Sequence, residues 1–366
     1  MNSENKEFGT YSKDDVIFLL KDISDAKIEQ GNREREKAIQ SGRHYSEMLP
    51  IEYQVSDTYL NLYREKLEKY KKKLAFAAGV MSEKIIKRNG KNVVLVSLAR
   101  AGTPIGILAK RYIKKKYNIN LPHYTISIIR DRGIDENAIK YILDHHKDMK
   151  IQFIDGWTGK GTICNVLKKA CDDYYKKYNI QLDDALAVLA DPAGYSKSYG
   201  VREDFLIPSA CLNSTVSGLV SRTVLRRDLI HEEDFHGAKY YKELKEFDES
   251  NKYIDTISAE FESQFEKINE TMKDWEKDDI TKLGAEDVEM IREAFDVKDI
   301  NFIKPGIGET TRVLLRRIPY KILVDSLDDE RLNHIFVLAK EKNVPVEVYP
   351  LKSYKCCGII KNLKDV

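Results

Sequence analysis

The sequence predicts an α/β chain: an open parallel sheet flanked by helices, with helical N-terminal and connector segments and a small C-terminal α/β domain. Three observations carry this. Short apolar runs at Val93–Ser97, His123–Ile129, Ile151–Ile154 and Ala185–Ala190 read as buried strands, too uniformly apolar for one face to be wet. Helical spacing separates them, as crossovers between parallel strands demand. Two of the strands run into a glycine-bearing loop that opens a helix. Such a turn aims backbone N–H groups and the positive end of a helix dipole at one point.

At 366 residues the chain holds two or three domains and a sizeable core. The expected division is an N-terminal helical hood (1–90), the sheet core (91–230), an acidic helical connector (231–300) and the small α/β domain (301–366). No apolar run reaches membrane-spanning length, and Met1–Lys6 opens no signal-peptide apolar stretch. Five cysteines, an odd number without C-x-x-C spacing, point to reduced thiols and a cytoplasmic location. The net charge of +2 is segregated: +10 over residues 1–230, −12 over 231–300 and +4 over 301–366. A basic body suits a polyanionic small molecule, and a basic tail suits nucleic acid.

In chain order, Tyr11–Leu20 reads as an N-capped entry into a short apolar segment. Ser41–Met48 clusters His44, Ser46 and Glu47, candidates for positioning a substrate, although a capped turn is the commoner outcome. Residues 53–88 carry helical spacing with a lysine-rich outer face. After the strand Val93–Ser97, the loop Leu98–Pro104 holds Arg100, Ala101 and Gly102, and a helix starts near Pro104. The strand His123–Ile129 ends at Arg130 and Arg132, which flank Asp131. They are candidates to neutralise an anion at the carboxyl edge of the sheet, or a surface ion pair with Asp131. A helix over Glu136–His146 leads to the strand Ile151–Ile154, which ends in Asp155. The loop Gly156–Gly161 follows, and a helix opens at Thr162. Thr158, Gly159, Lys160, Gly161 and Thr162 offer amides, hydroxyls and a cation suited to a phosphate monoester.

Beyond the strand Ala185–Ala190, residues 208–223 are rich in hydroxyls between apolar neighbours, and Asn213, Ser214, Thr215, Ser217 and Arg222 are candidates to line a pocket for an anionic ligand, or to cap a helix. His236 stands beside Gly237, where a buried or capping histidine is the commoner outcome. From residue 301 a glycine turn and a helix present Lys304, Arg312, Arg316 and Arg317, groups suited to phosphate contacts that fix position without reading bases.

The stretch Asp155–Thr162 is not a nucleotide P-loop, because Lys160 is followed by Gly161 and the upstream glycine is missing. It resembles the phosphoribosyl-pyrophosphate (PRPP) signature of type I phosphoribosyltransferases, with one acid where most of that family has two. Arg100, Ala101 and Gly102, about 55 residues upstream, resemble that family's pyrophosphate loop. The C-terminal stretch resembles a Pelota-type RNA-binding domain. Together these pieces make the chain similar to the phosphoribosyltransferase family of bacterial tellurite-resistance and stress-response gene clusters. Relatives are sometimes labelled cysteine proteases, a label the sequence supports little, since no cysteine stands in a recognisable nucleophile context.

The resemblance implies a type I phosphoribosyltransferase-like core that moves ribose 5-phosphate from PRPP to a small-molecule acceptor and releases pyrophosphate. Asp155 and Arg100 would be catalytic, and residues 158–162 would hold the 5′-phosphate. Arg100, Ala101, Gly102, Arg130 and Arg132 would hold the pyrophosphate. Mg²⁺ would act through substrate oxygens, with Asp155 reaching it only through water. Asn213, Ser214, Thr215, Arg222, His44, Ser46, Glu47 and His236 would shape the acceptor pocket. Lys304, Arg312, Arg316 and Arg317 would contact RNA, and a homodimer is compatible with all of this. The alternative is a PRPP- or nucleotide-sensing or RNA-binding regulator with a non-catalytic core.

Overall fold

The computed structural model describes residues 7–52, 57–275 and 279–362. Met1–Lys6 and residues 53–56, the expected start of the long N-terminal helix, lie outside the described residues.

Six parallel strands form the central sheet: β1 (Ile17–Phe18), β2 (Val93–Leu98), β3 (His123–Ile126), β4 (Lys150–Trp157), β5 (Ala187–Ala190) and β6 (Ser198–Val201). Their spatial order is β1-β3-β2-β4-β5-β6. Register places Leu95 opposite His123 on one side and Gln152 on the other. Both faces are covered, which is why the strands read as continuous apolar runs. Successive residues of β2 alternate between two apolar clusters, Val93 and Leu95 in one and Val94, Val96 and Leu98 in the other.

The helices α1 (Asn32–Gln40), α2 (Asp57–Asn89), α3 (Gly102–Tyr117), α4 (Glu136–His145), α5 (Thr162–Tyr178), α6 (Ser250–Ser258) and α7 (Phe261–Thr271) follow in chain order. α2, α3, α6 and α7 supply one face through Leu74, Ala78, Leu108, Ile254 and Ile268; α4 and α5 supply the other through Ile139, Ile142 and Leu167. The long helix stops at Asn89 because Gly90 takes the left-handed conformation and returns its N–H to Ile86.

Two strands differ from the sequence reading. The apolar run His123–Ile129 leaves the sheet after Ile126, and Ile128–Ile129 instead pairs antiparallel with Gly133–Ile134. Arg130–Arg132 therefore form the turn of a small ribbon, with Asp131 at φ +67°. β6 was not expected, because Ser198-Tyr199-Gly200-Val201 is neither a continuous apolar run nor cleanly alternating. Gly200 is needed there: any Cβ would run into the carbonyl oxygens of Ala77 and Leu189.

The C-terminal unit comprises α8 (Leu283–Ala294), β7 (Ile303–Pro305), α9 (Ile307–Arg316), β8 (Pro319–Val324), α10 (Asn333–Glu341), β9 (Val346–Val348) and β10 (Cys356–Ile360). Its sheet runs β7-β10-β8-β9, with β8 and β9 parallel and the other pairs antiparallel. α8, read as part of the acidic connector, packs Val288 and Ile291 against Ile303, Leu323 and Ile359, so this unit begins earlier than residue 301. The rest of the connector, α6 and α7, belongs to the central core. The unit is docked, not tethered. Ile307 and Leu314 of α9 join the main core cluster, and Asp204 accepts hydrogen bonds from the Ile307 and Lys355 amides at 3.0 and 2.8 Å. That carboxylate caps the N-terminus of α9 from the other unit. Among the described residues no helix is long and apolar enough to cross a membrane.

Candidate functional site

The chain leaves β2 towards β3 on one side and reaches β4 on the other, so the strand order reverses between the carboxyl ends of β2 and β4. Crevices at such points are where open α/β sheets bind ligands. Two loops meet there. Gly102 opens α3 directly against the backbone of β4, where a Cβ would strike Ile154 O and the Asp155 Cα. This close approach joins the loop carrying Arg100 to the strand carrying Asp155.

The second loop is built from several anchors. The Thr158 amide donates to Ala190 O at 3.0 Å, and its hydroxyl donates to the buried carboxylate of Asp191. Gly161 caps α5 at φ +74°, tight against the Tyr195 ring, which leaves no room for a side chain. Tyr354 of the C-terminal unit donates its hydroxyl proton to Gly159 O at 2.5 Å, and Lys160 donates to Ile300 O. The strand runs on to Trp157, so the loop is shorter than the sequence suggests.

The C-terminal unit forms the opposite wall. Two joined cavities of about 380 and 640 Å³ lie between the walls, sharing Tyr45, Asp155, Arg222, Lys304 and Arg312 among their linings. Nine cationic side chains line them (Arg35, Arg100, Arg130, Lys160, Arg222, Lys304, Arg312, Arg316 and Arg317) against four carboxylates (Glu36, Asp155, Asp299 and Glu309). The excess is positive: Arg100, Arg130, Arg312 and Arg317 pair with Glu52, Asp131, Glu309 and Glu36, while others lack a carboxylate partner among the described residues. Arg222 donates to Tyr45 O and Met48 O at 2.7 and 2.9 Å and meets no carboxylate among the described residues, while its Nε is buried without a partner. Arg312 donates to Glu309 at 2.9 Å and lies 4.4 Å over the Trp157 ring, yet its Nε is also buried and unpartnered. Lys304 lines both cavities and has no side-chain hydrogen bond or ion pair among the described residues.

The charges feel this crowding. Burial, then the neighbouring Lys304 and Arg130, bring Lys160 down to about 7. Burial, with Arg35 and Arg100 adding repulsion, lowers Arg222 to about 9, and burial with Arg312 does the same to Arg316. Asp155, whose Oδ1 accepts from the Gly156 amide at 2.7 Å, is pushed up to about 7 by burial, against the pull of Arg312.

Of the residues singled out in the sequence, Arg100, Ala101, Arg130, Asp155, Thr158, Gly159, Lys160, Gly161, Thr162, Asn213, Arg222, Lys304, Arg312, Arg316 and Arg317 line this cleft. Others do not. Gly102 is buried beneath it. Arg132 turns away to Glu47 and to Leu225 O. His44 caps a short turn, its Nδ1 2.8 Å from Ser46 Oγ and its Nε2 3.1 Å from Arg130 O, so His44, Ser46 and Glu47 form a capped turn and not a pocket wall. Ser214 and Thr215 are buried in a tight 3₁₀ turn away from both cavities. His236 packs behind the sheet, with Nδ1 2.8 Å from Ser127 Oγ. Arg35, Glu36, Tyr45 and Glu309 were missed: α1 is so polar that nothing marks Arg35 and Glu36 as cleft residues until the C-terminal unit docks on them.

Asp155 faces cations, and among the described residues no three His, Cys, Asp or Glu side chains gather as metal ligands. This donor set does not suit a Mg²⁺ held by the protein. Cys164, in the first turn of α5, is the one cysteine that lines the smaller cavity; Cys211 borders the larger. Burial, reinforced by Asp191 and Asp155, holds the Cys164 thiol up at about 12. Among the described residues no histidine is hydrogen-bonded to a cysteine, as a nucleophilic pair would require.

The family described as "Tellurite-like stress resistance cysteine protease StiP" matches residues 9–258. The chain belongs to this family. A second match, to the "PELOTA RNA binding domain", covers residues 282–362, the C-terminal unit with α8 included. The chain is also 32% identical to the cysteine protease StiP of Acinetobacter baylyi (strain ATCC 33305 / BD413 / ADP1), over 97% of its own length and 94% of that protein. These findings correct the sequence reading. Family and relative are named as a stress-resistance cysteine protease, a hydrolase, so the expected PRPP-dependent pentosyltransferase activity is withdrawn. The tellurite-type stress connection and the Pelota match stand.

Proposed function

We propose that this stress-resistance protein works by binding RNA in the basic cleft between the carboxyl edge of the sheet and the C-terminal unit. The observation that carries the reading is the surplus of cationic side chains lining it: the Nε donors of Arg222 and Arg312 are buried without a partner, and the half-buried Lys304 ammonium has no ion pair among the described residues. Leaving a buried donor unsatisfied costs ~1–3 kcal/mol, more when it is charged, and an entering phosphate removes that cost. The Pelota match on the unit that supplies Lys304, Arg312, Arg316 and Arg317 supports RNA as the phosphate carrier. Contacts of this kind position a backbone and read no sequence.

The test is fluorescence anisotropy with a labelled single-stranded RNA. Affinity is expected to fall steeply between ~50 and 200 mM salt, with a slope near −0.7 for each phosphate neutralised. Lys304→Gln and Arg312→Gln are each expected to weaken binding ~10-fold. No salt-dependent binding by the wild-type chain sinks the reading.

A thiol-hydrolase reading follows the relative's printed name and rests on Cys164 at the cleft wall. It requires the high thiol pKa to fall when a substrate fills the cavity. Peptide hydrolysis that disappears in Cys164→Ala carries it; hydrolysis unchanged by that substitution removes it.

A further inference from the structure

The rims of the smaller cavity are stapled. Lys160 beside the α5 turn donates to Ile300 O, Arg130 donates to Asn301 Oδ1 at 2.8 Å, and Arg317 of α9 donates to Glu36 of α1 at 2.9 Å. All five side chains among these partners, Lys160, Arg130, Asn301, Arg317 and Glu36, line that cavity themselves. A strand passing through would need both an entrance and an exit, and these bonds cross between the two walls where it would run. The volumes agree. Cavities of about 380 and 640 Å³ fall in the range of small-molecule pockets, roughly 300–1,000 Å³. Grooves that track an internal stretch of single strand follow the backbone over ~4–16 nucleotides.

We infer that the cleft takes the end of an RNA strand: a terminal nucleotide enters between the two walls and the chain continues out through the same opening. This rests on the RNA reading given above. The smaller cavity offers the 159–162 turn at the start of α5 with Lys304, Arg222 and Arg312 for phosphate oxygens. The larger adds apolar wall from Ile51, Tyr59, Leu98 and Ile128, beside Arg100 and Asn213, for a ribose and base. An internal segment would have to run on past the bonds that join the two walls, whereas a strand end need not.

The experiment compares one RNA sequence as a linear strand, with either a 5′-phosphate or a 5′-hydroxyl, and as a covalently closed circle. Binding is measured to the full chain by competition against the labelled linear strand. The circle is expected to bind at least ~10-fold more weakly than the better linear form, and a nucleoside monophosphate is expected to compete. The two linear forms tell which terminus enters: a large preference for the 5′-phosphate marks the 5′ end, and equal binding marks the 3′ end. Asn301→Ala removes one staple and is expected to narrow the gap between circle and linear strand. A circle that binds as tightly as the linear strand overturns end recognition while leaving RNA binding intact. If neither form binds, the RNA reading fails and end recognition fails with it.

Discussion

Two loops of this molecule look alike in sequence and differ in what they leave available. Each follows a buried strand, carries a glycine and a cation, and opens a helix at the same crevice. Yet Arg100, in the first, is already occupied: it donates to Glu52 at 3.1 Å and to Asn213 at 2.5 Å, and reaches Val220 O. Around the second, Lys160 meets only backbone carbonyls, and Lys304 and Arg222 on the facing walls have no carboxylate partner among the described residues. A cation in a glycine loop becomes a ligand contact only where the tertiary fold withholds its counter-charge. That distinction is invisible to a motif, because Glu52 lies 48 residues from Arg100.

The largest effect is expected at the point that joins the loops. Gly102→Ala places a methyl group against the backbone of Ile154 and Asp155, which cannot swing aside as a side chain would. Overpacking of this kind costs ~1–3 kcal/mol. Urea denaturation should show the midpoint falling with its slope unchanged, while Gly159→Ala, whose Cβ would meet only the edge of Glu309 at 3.9 Å, should leave stability nearly untouched. Equal losses in both variants would mean that the approach of the loops is not what holds this crevice together.

The next effect separates the two loops by function. Lys304→Gln should weaken RNA ~10-fold with little change in stability, since no partner is stranded. Arg100→Gln should do the opposite. It leaves the Glu52 carboxylate beside the cleft without its cation, a stranded group that costs ~1–3 kcal/mol at most while glutamine keeps a donor there. Anisotropy and denaturation on both variants give a two-by-two outcome. A reversed pattern would assign ligand binding to the first loop.

How much of this was legible follows the same division. The strands β2 and β4 and their loops were readable because uniform apolar runs and punctuating glycines are local signals. β6 was not, since it is held by the close fit of Gly200 under α2 and not by its own pattern. Arg35 and Glu36 look like any solvated helix face until α9 lies on them. The cluster of His44, Ser46 and Glu47 is the capped turn that such spacing most often gives, because short polar side chains in a turn find their own backbone first. The reaction class was the least legible part. A resemblance in loop architecture suggested a transferase, whereas the family and its relative carry a protease name, and a loop that suits phosphate does not by itself specify what is done with it.

A smaller effect tests the charge state of the second loop. Lys160 at about 7 is largely neutral at pH 8, and Asp155 at about 7 is largely ionised there. A bound phosphate favours the protonated form of both groups, raising both values. Binding therefore takes up protons, and affinity falls as pH rises through 7. The expected change between pH 6 and pH 8 is ~3–10-fold, since each unit of pKa change in one group is worth at most tenfold. Lys160→Arg should flatten the lysine's share, leaving the part due to Asp155. Affinity that rises with pH would show that neither group faces the phosphate.

The smallest effect is expected from the residues the fold turned away. Arg132 points to Glu47 and Leu225 O on the outer side of the ribbon, whereas Arg130, two residues earlier, faces the cleft and Asn301. Both flank the same acid in the sequence, and only the left-handed turn at Asp131 sends them to opposite sides. Arg132→Gln removes an exposed ion pair, worth ~0–1 kcal/mol, and should change RNA affinity by less than ~2-fold. Arg130→Gln removes a cleft cation and a staple together, so it should weaken the linear strand while narrowing its advantage over the circle. If Arg132→Gln weakens RNA as much as Arg130→Gln does, the ligand lies across the outside of the ribbon, and the contrast between inward- and outward-facing cations no longer locates the site.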